Sequence, residues 1–142
     1  MRAVALIPAY NEEEYIAQTL EALQTLEALD QIVVINDGST DNTRAVLEVC
    51  QQRSVRPVVV LDLPENRGKG AALNAGLART KGDVYLLLDA DLGQSAREAR
   101  ALLDPVIQGE AHMSVARFIG DQARTGGQMG FGLVRRVAAW GV

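Results

Sequence analysis

Two aspartates one residue apart, Asp89 and Asp91, flank Ala90 directly after the aliphatic run Val84-Tyr85-Leu86-Leu87-Leu88. An Asp-x-Asp triplet just past a buried strand can bring both carboxylates to the edge of a sheet. Hard divalent cations want oxygen ligands, and Mg²⁺ commonly takes one or two carboxylates together with substrate phosphates. A pyrophosphate could complete that shell, with the ion stabilising charge on a leaving group. Taken alone, the triplet reads as two solvated turn aspartates. What favours metal chemistry is its company.

Three more polar clusters follow apolar runs. Pro8-Ala9-Tyr10-Asn11-Glu12-Glu13 closes the first run, and Asn36-Asp37-Gly38-Ser39-Thr40-Asp41 closes the second. Asp37 could accept from the imino N–H of a nucleobase, or form an Asx-turn leading into a helix cap. Gly38 would let the chain turn tightly or approach a ligand closely. Tyr10 could stack on a base or pack on its own loop. After the third run, Glu65-Asn66-Arg67-Gly68-Lys69-Gly70 sets two cations among glycines ahead of a helical pattern. Lys69 and that helix N-terminus could meet a diphosphate, the alternative being a solvated loop. This is not a Walker A loop, which needs two glycines five apart followed by Lys and Ser or Thr.

Short parallel strands alternating with helices would gather these clusters. The spacing predicts strands over Ala3 to Pro8, Gln31 to Asn36, Pro57 to Leu61 and Asp83 to Leu88, with a fifth from Ala111 to Ala116. The first, second and fourth are nearly continuous in aliphatic residues, as strands covered on both faces must be. Asn11 is placed to cap a first helix, with Glu12, Glu13 and Glu14 in its first turn and Ile16, Leu20, Leu23 and Leu26 along one face. Asp41 or Ser39 could cap a second, with Val46, Val49 and Cys50 inward. A third spans Gly70 to Arg79 with Leu73 and Leu77 a turn apart. Ser95 could cap a fourth, with Leu102, Leu103 and Val106 inward and a stop near Gly109. Residues 125–132 read as a loop and Leu133 to Trp140 as the start of another helix. The alternation predicts an α/β fold, a mostly parallel sheet flanked by helices. In such a sheet, ligands bind outside the carboxyl ends of the strands, where strand order reverses.

Composition agrees and excludes alternatives. The chain has 142 residues, 48% of them hydrophobic, which suits a single domain over residues 1–142 with a sizeable core. A net charge of −4 and 4% aromatic residues give neither a basic field nor stacking platforms for nucleic acid. One cysteine and one histidine, Cys50 and His112, cannot form a Cys/His zinc site. Cys50 reads as a core residue and His112 as structural. No apolar run reaches the roughly 18 residues of a membrane span. The first run is broken by Pro8 and Asn11, unlike a signal peptide, and a cytoplasmic setting follows.

Together, in this order and spacing, the four clusters resemble the family 2 glycosyltransferases of the GT-A fold. The likeness spans roughly residues 3 to 140 and points to the branch of dolichol-phosphate mannose synthases and related bacterial enzymes. The resemblance implies a Rossmann-like nucleotide-diphospho-sugar-binding domain, a UDP- or GDP-linked sugar donor, a Mg²⁺ or Mn²⁺ ion, and inversion at the anomeric carbon. By that resemblance Pro8, Ala9, Tyr10 and Glu12 line the nucleotide pocket, and Asp37 reads the base. Lys69 lies near the ribose or phosphates. Asp89 and Ala90 contact the donor, Asp89 on the ribose or metal side, and Asp91 ligates the metal; Gln94 is a further metal-side candidate. Members with Asp-Asp at the second cluster have Asn36-Asp37 here.

The family's general base lies on a later segment, and inverting transfer needs one within reach of the acceptor hydroxyl. After Asp91 the acidic residues are Glu98, Asp104, Glu110 and Asp121. The first two fall in a helical pattern and Glu110 at a turn, leaving Asp121 in a loop. The catalytic base is therefore unassigned. The expectation is a donor-binding portion whose acceptor half lies beyond residue 142, where a longer form could carry membrane helices. The acceptor is open, a polyprenyl phosphate among the candidates, and a sheet edge left exposed invites a homodimer. The alternative is a non-catalytic nucleotide-sugar-binding module. A sugar-phosphate nucleotidyltransferase would want a Gly-rich loop after the first strand. A receiver-like domain would want its lysine after a later strand than Lys69 does.

Overall fold

The computed structural model describes residues 1–116 and the backbone of 133–136. Within them the expected alternation holds. β1 (Ala3–Ala9), α1 (Ile16–Gln24), β2 (Gln31–Asp37), α2 (Thr43–Arg53), β3 (Val58–Leu63), α3 (Lys69–Arg79) and β4 (Val84–Leu87) follow in turn. A 3₁₀ stretch, Gly93–Ala99, then leads into α4 (Arg100–Ile107), β5 (Met113–Val115) and β6 (Leu133–Arg136). The strands form one sheet in the order β3-β2-β1-β4-β6-β5. β1 pairs in parallel with β2 and β4, and β2 with β3.

Alternation along the central strands explains the two-sided burial. Ala3, Ala5, Ile7 and Ala9 of β1 point to one face, where they join Leu20 and Leu23 of α1, Leu47 of α2 and Leu103 of α4. Val4 and Leu6 point to the other, with Val33 and Ile35 of β2 and Ala72 of α3. Fully burying a Leu or Ile contributes about 1.5–3 kcal/mol, so these rows hold the layers together. α3 lies close to the sheet because Gly76 has no Cβ; one there would sit 2.9 Å from Ile35 Cδ1.

Several expectations need correction. α1 starts at Ile16, so Asn11 caps no helix and the three glutamates precede the first turn. Asn11 instead adopts a positive φ of 52°, a conformation that Asn tolerates better than most residues. At α2, Asp41 meets the helix rather than Ser39: its carboxylate accepts from the Thr43 N–H at 2.9 Å. Val46 and Cys50 pack on the core, but Val49 is exposed. On α3 the buried positions are Ala72 and Gly76, while Leu77 is exposed. A helix that approaches a sheet this closely buries its small residues. Ser95 starts no helix; it lies within the 3₁₀ stretch, and its hydroxyl donates to the carbonyl of Leu92, the residue before that stretch.

The far side of the sheet is mixed. The fifth strand is shorter than expected, and His112 lies just before it, exposed. The start of the expected helix at Leu133 is instead β6, antiparallel to both β4 and β5. Its apolar residues suited either element, since periodicity does not separate a short buried strand from a helix turn. The expected loop 125–132, Asp121 and Trp140 lie outside the described residues.

Candidate functional site

Strand order reverses between β1 and β4: β2 lies on one side of β1 and β4 on the other. The carboxyl end of β1 carries Pro8 and Ala9, and that of β4 leads to Asp89, Ala90 and Asp91. The sheet thus delivers the first and fourth clusters to the position where open α/β sheets bind ligands.

Each loop at this edge is held by its neighbour. Asn11 Oδ1 accepts from the Thr40 N–H at 2.8 Å, and the Asn11 N–H donates to Ser39 Oγ at 3.0 Å. The Glu12 N–H donates to Thr43 Oγ1 at 2.9 Å, and the Asn42 N–H to Glu13 Oε2 at 3.2 Å. These contacts tie the β1–α1 loop to the β2–α2 loop. Burial raises the Asp41 carboxyl, but hydrogen bonds from Thr43 and Glu13 outweigh it and hold the group below its ordinary range.

Asp37 is buried at 3% exposure, and both its oxygens accept backbone N–H groups, from Arg67 at 3.0 Å and Gly68 at 2.9 Å. The Asx-turn alternative is thus replaced by a long-range bond to the loop before α3. Gly38, at φ 70°, makes that approach possible: a Cβ there would fall 2.5 Å from Asn66 N and Glu65 C. So the second cluster clamps the third. The clamped loop delivers Lys69, the first residue of α3, whose ammonium pairs with the Asp89 carboxylate.

The acidic groups crowd one another. Burial pushes the Glu12 carboxyl up to about 7, helped by the negative charges of Asp91, Asp89, Asp41 and Glu14. Asp91 is raised by burial and then by Asp89, against the opposing pull of its own backbone N–H and Lys69. Glu12, Asp89 and Asp91 therefore share one electrostatic environment, with Lys69 the cation acting on it. Ala9 and Ala90 are buried, Tyr10 stands exposed at the rim, and Gln94 is exposed on the 3₁₀ stretch.

Residues outside the four motifs support these groups. Thr19 of α1, fully buried, lies 2.7 Å from the Ala90 carbonyl and accepts from the Gly93 N–H at 2.8 Å. Thr43, fully buried, joins two loops. Asp62 of β3 accepts from Asn36 Nδ2 at 2.9 Å and pairs with Arg44 Nε at 2.9 Å. The available signal was a hydroxyl residue on an otherwise apolar helix face, which by itself points nowhere. Among the later carboxylates, Asp104 pairs with Arg100 along α4, and Glu98 and Glu110 are exposed.

The chain is 37% identical over 108 residues to an undecaprenyl-phosphate 4-deoxy-4-formamido-L-arabinose transferase of Pseudomonas savastanoi, an alignment covering 73% of this chain and 32% of that protein. It is 41% identical over 98 residues to a dolichyl-phosphate beta-glucosyltransferase of Trichomonas vaginalis, covering 61% and 29%. The match thus spans about a third of the length of these relatives. Among solved structures, it superposes with a TM-score of 0.67 and 27% identity on glucosyl-3-phosphoglycerate synthase of Mycobacterium tuberculosis, solved with Mn²⁺, UDP and glucosyl-3-phosphoglycerate. That match covers 79% of this chain and 42% of the synthase. The fold is accordingly that of the GT-A glycosyltransferases. The family model for glycosyl transferase family 2 matches residues 4–130, which take in all four polar clusters, and the chain belongs to that family.

Proposed function

We propose that this chain forms the donor site of a metal-dependent, inverting glycosyltransferase that uses a nucleotide-diphosphate sugar. The observation that carries this reading is the convergence of Glu12, Asp89, Asp91 and Lys69 at the switch point between β1 and β4. The raised Glu12 and Asp91 carboxyls are groups whose charge a cation would stabilise. Among the described residues, no three His, Cys, Asp or Glu side chains are grouped closely enough to cage an ion. Mg²⁺ or Mn²⁺ is commonly held by one or two carboxylates while substrate phosphates and water complete the shell.

Asp91, with Asp89 beside it, would hold the ion, and the ion when bound supplies charge neutralisation at the departing diphosphate. Lys69 adds a second positive charge at the first turn of α3. Tyr10, exposed at the rim, offers a face on which a base can stack. Pro8, Ala9, Glu12 and Ala90 would line the nucleotide pocket beside it, as the likeness to the family implies. Asp37 keeps the Lys69 loop in place, and each of its oxygens retains a lone pair for the imino N–H of a base. The UDP bound by the mycobacterial synthase supports uridine as the first base to try. The polyprenyl phosphates named for both relatives support a polyprenyl phosphate acceptor, which sets the reaction at a membrane surface. Among the described residues, no helix is long and apolar enough to cross one.

A second reading, a nucleotide-sugar-binding module without activity of its own, is favoured by one observation. The described acidic residues after Asp91 are exposed or paired on helices and turns, and none is presented as a base. Titration calorimetry of UDP and GDP with and without Mn²⁺ tests the donor site. Metal-dependent binding that Asp91→Ala abolishes is expected; unchanged affinity in that variant rejects the proposal. Turnover with an added acceptor then separates enzyme from module.

A further inference from the structure

Thr19 lies on α1, on the apolar stripe between Ile16 and Leu23, and is fully buried. Its hydroxyl reaches across the core as well as back along its own helix. Three polar atoms surround Oγ1: the Ala90 carbonyl at 2.7 Å, the Tyr15 carbonyl at 3.0 Å and the Gly93 nitrogen at 2.8 Å. A hydroxyl has one proton to give. The nearer carbonyl, Ala90, is the better acceptor for it, and the Gly93 N–H donates to the oxygen lone pair.

These two contacts bracket Asp91. One holds the peptide oxygen immediately before it, and the other holds the N–H two residues after it. The chain turns at residues 90–91, and Gly93, which opens the 3₁₀ stretch, has a φ of 57°. Asp91 thus stands on a short bridge whose two ends are fastened to one side chain. That side chain belongs to the helix that follows the Tyr10–Glu14 loop. The nucleotide side and the carboxylate side of the site are thereby mechanically joined.

We propose that Thr19 is a positioning residue that sets the Asp91 carboxylate for a divalent cation, an inference that rests on the donor-site reading above. Partners that orient metal ligands typically change affinity by about 10- to 100-fold when removed. A threonine serving only to fill the core would change stability and leave metal-dependent binding untouched.

The test compares Thr19→Val, Thr19→Ser and Asp91→Ala in the full chain. UDP affinity is measured with Mn²⁺ and with EDTA, below the unfolding temperature of each variant. Thr19→Val should weaken Mn²⁺-dependent UDP binding by about 10-fold or more and leave binding in EDTA unchanged. Thr19→Ser, which keeps the hydroxyl, should recover it to within about twofold. Amide exchange gives an independent reading, with Gly93 protected in the unaltered chain and faster in Thr19→Val. If Thr19→Val binds as the unaltered chain does while Asp91→Ala does not, the role given to Thr19 is wrong and the donor site stands. If Asp91→Ala also binds normally, the donor site itself is wrong. Should Thr19→Val not fold, Thr19→Ala takes its place, and a Gly93 amide that in the unaltered chain exchanges as freely as an exposed one overturns the proposal.

Discussion

Asn36 and Asp62 stand opposite each other in register on β2 and β3, and the Asn36 amide donates to the Asp62 carboxylate at 2.9 Å. Asn36 is only 5% exposed. This pair gives Asn36 a partner that an aspartate at the same position would lack. A carboxylate at this position would face Asp62 across the ladder, and like charges directly opposite are destabilising. Arg44 offsets part of the Asp62 charge from the other side.

Asn36→Asp is therefore expected to destabilise the chain by about 2 kcal/mol at neutral pH, because it buries a second charge and removes the donor. The two carboxyls would share a raised pKa, so the loss should shrink as pH falls and one takes a proton. Urea unfolding at about pH 7 and pH 5 measures this. A loss that is equal at both pH values would show that charge is not its cause.

The two glycines that shape the loop before α3 should respond differently. Gly38 has both a positive φ and no room, with Asn66 N and Glu65 C at 2.5 Å from an added Cβ. Gly68, at φ 97°, has nothing within 4 Å of an added Cβ. Gly68→Ala is thus expected to cost only backbone strain, about 1–3 kcal/mol. Gly38→Ala carries a similar strain and must also push the 65–66 backbone away, breaking the Asp37 clamp. Its loss should exceed that of Gly68→Ala and should weaken nucleotide binding as well. Chemical denaturation ranks the two; the reverse order would remove the argument for a close approach.

The carboxyl cluster predicts a pH dependence. Glu12 is raised from 4.5 to about 7, by burial first and by neighbouring carboxylates after it. Between those values the folded chain holds a proton that the unfolded chain releases, so the stabilisation is complete below about 4.5 and is lost as pH rises through about 7. Asp91 is shifted in the same direction. Asp41 acts oppositely, adding stability above its ordinary range that is lost in acid. Solvent reaching Glu12 keeps the effect below what the shift alone suggests. In EDTA, unfolding midpoints should fall between about pH 5 and pH 8, and Glu12→Gln should flatten that fall. A decline equally steep in the variant would assign it to other groups.

The parallel half of the fold was legible because two-sided burial writes itself as continuous aliphatic runs, as in Ala3–Ile7 and Ile32–Ile35. Motif order likewise brought the Asp89-Ala90-Asp91 triplet and the Pro8–Glu13 loop to one edge. What could not be read depended on contacts between distant residues. Asp37 looks like a turn residue until the backbone of Arg67 and Gly68 is brought against it. Asn11 resembles a helix cap, yet its side chain bonds to Thr40, 29 positions away. Thr19 carries no local sign, because its two most informative partners are 71 and 74 positions distant. Leu133 onward carried apolar residues that fit a strand as well as a helix, and pairing with β4 decided it.

Lys69 pairs with Asp89 and also pulls the Asp91 carboxyl downward. It therefore acts on two kinds of ligand in opposite directions. Toward a divalent cation the ammonium is a like charge beside the carboxylates, and toward a diphosphate it is an opposite charge at the start of α3. Lys69→Met keeps much of the side chain's length and apolar stem while removing the charge. It should tighten binding of Mn²⁺ alone by several-fold and weaken UDP binding in Mn²⁺ by about 10-fold, the scale of one charge-assisted contact. Because the pair is partly exposed, the unfolding midpoint should barely move. Calorimetry with Mn²⁺ alone, then with UDP, separates the two effects. A loss in both titrations would mean that Lys69 shapes the site rather than charging it, and no change in UDP affinity would move the diphosphate away from α3.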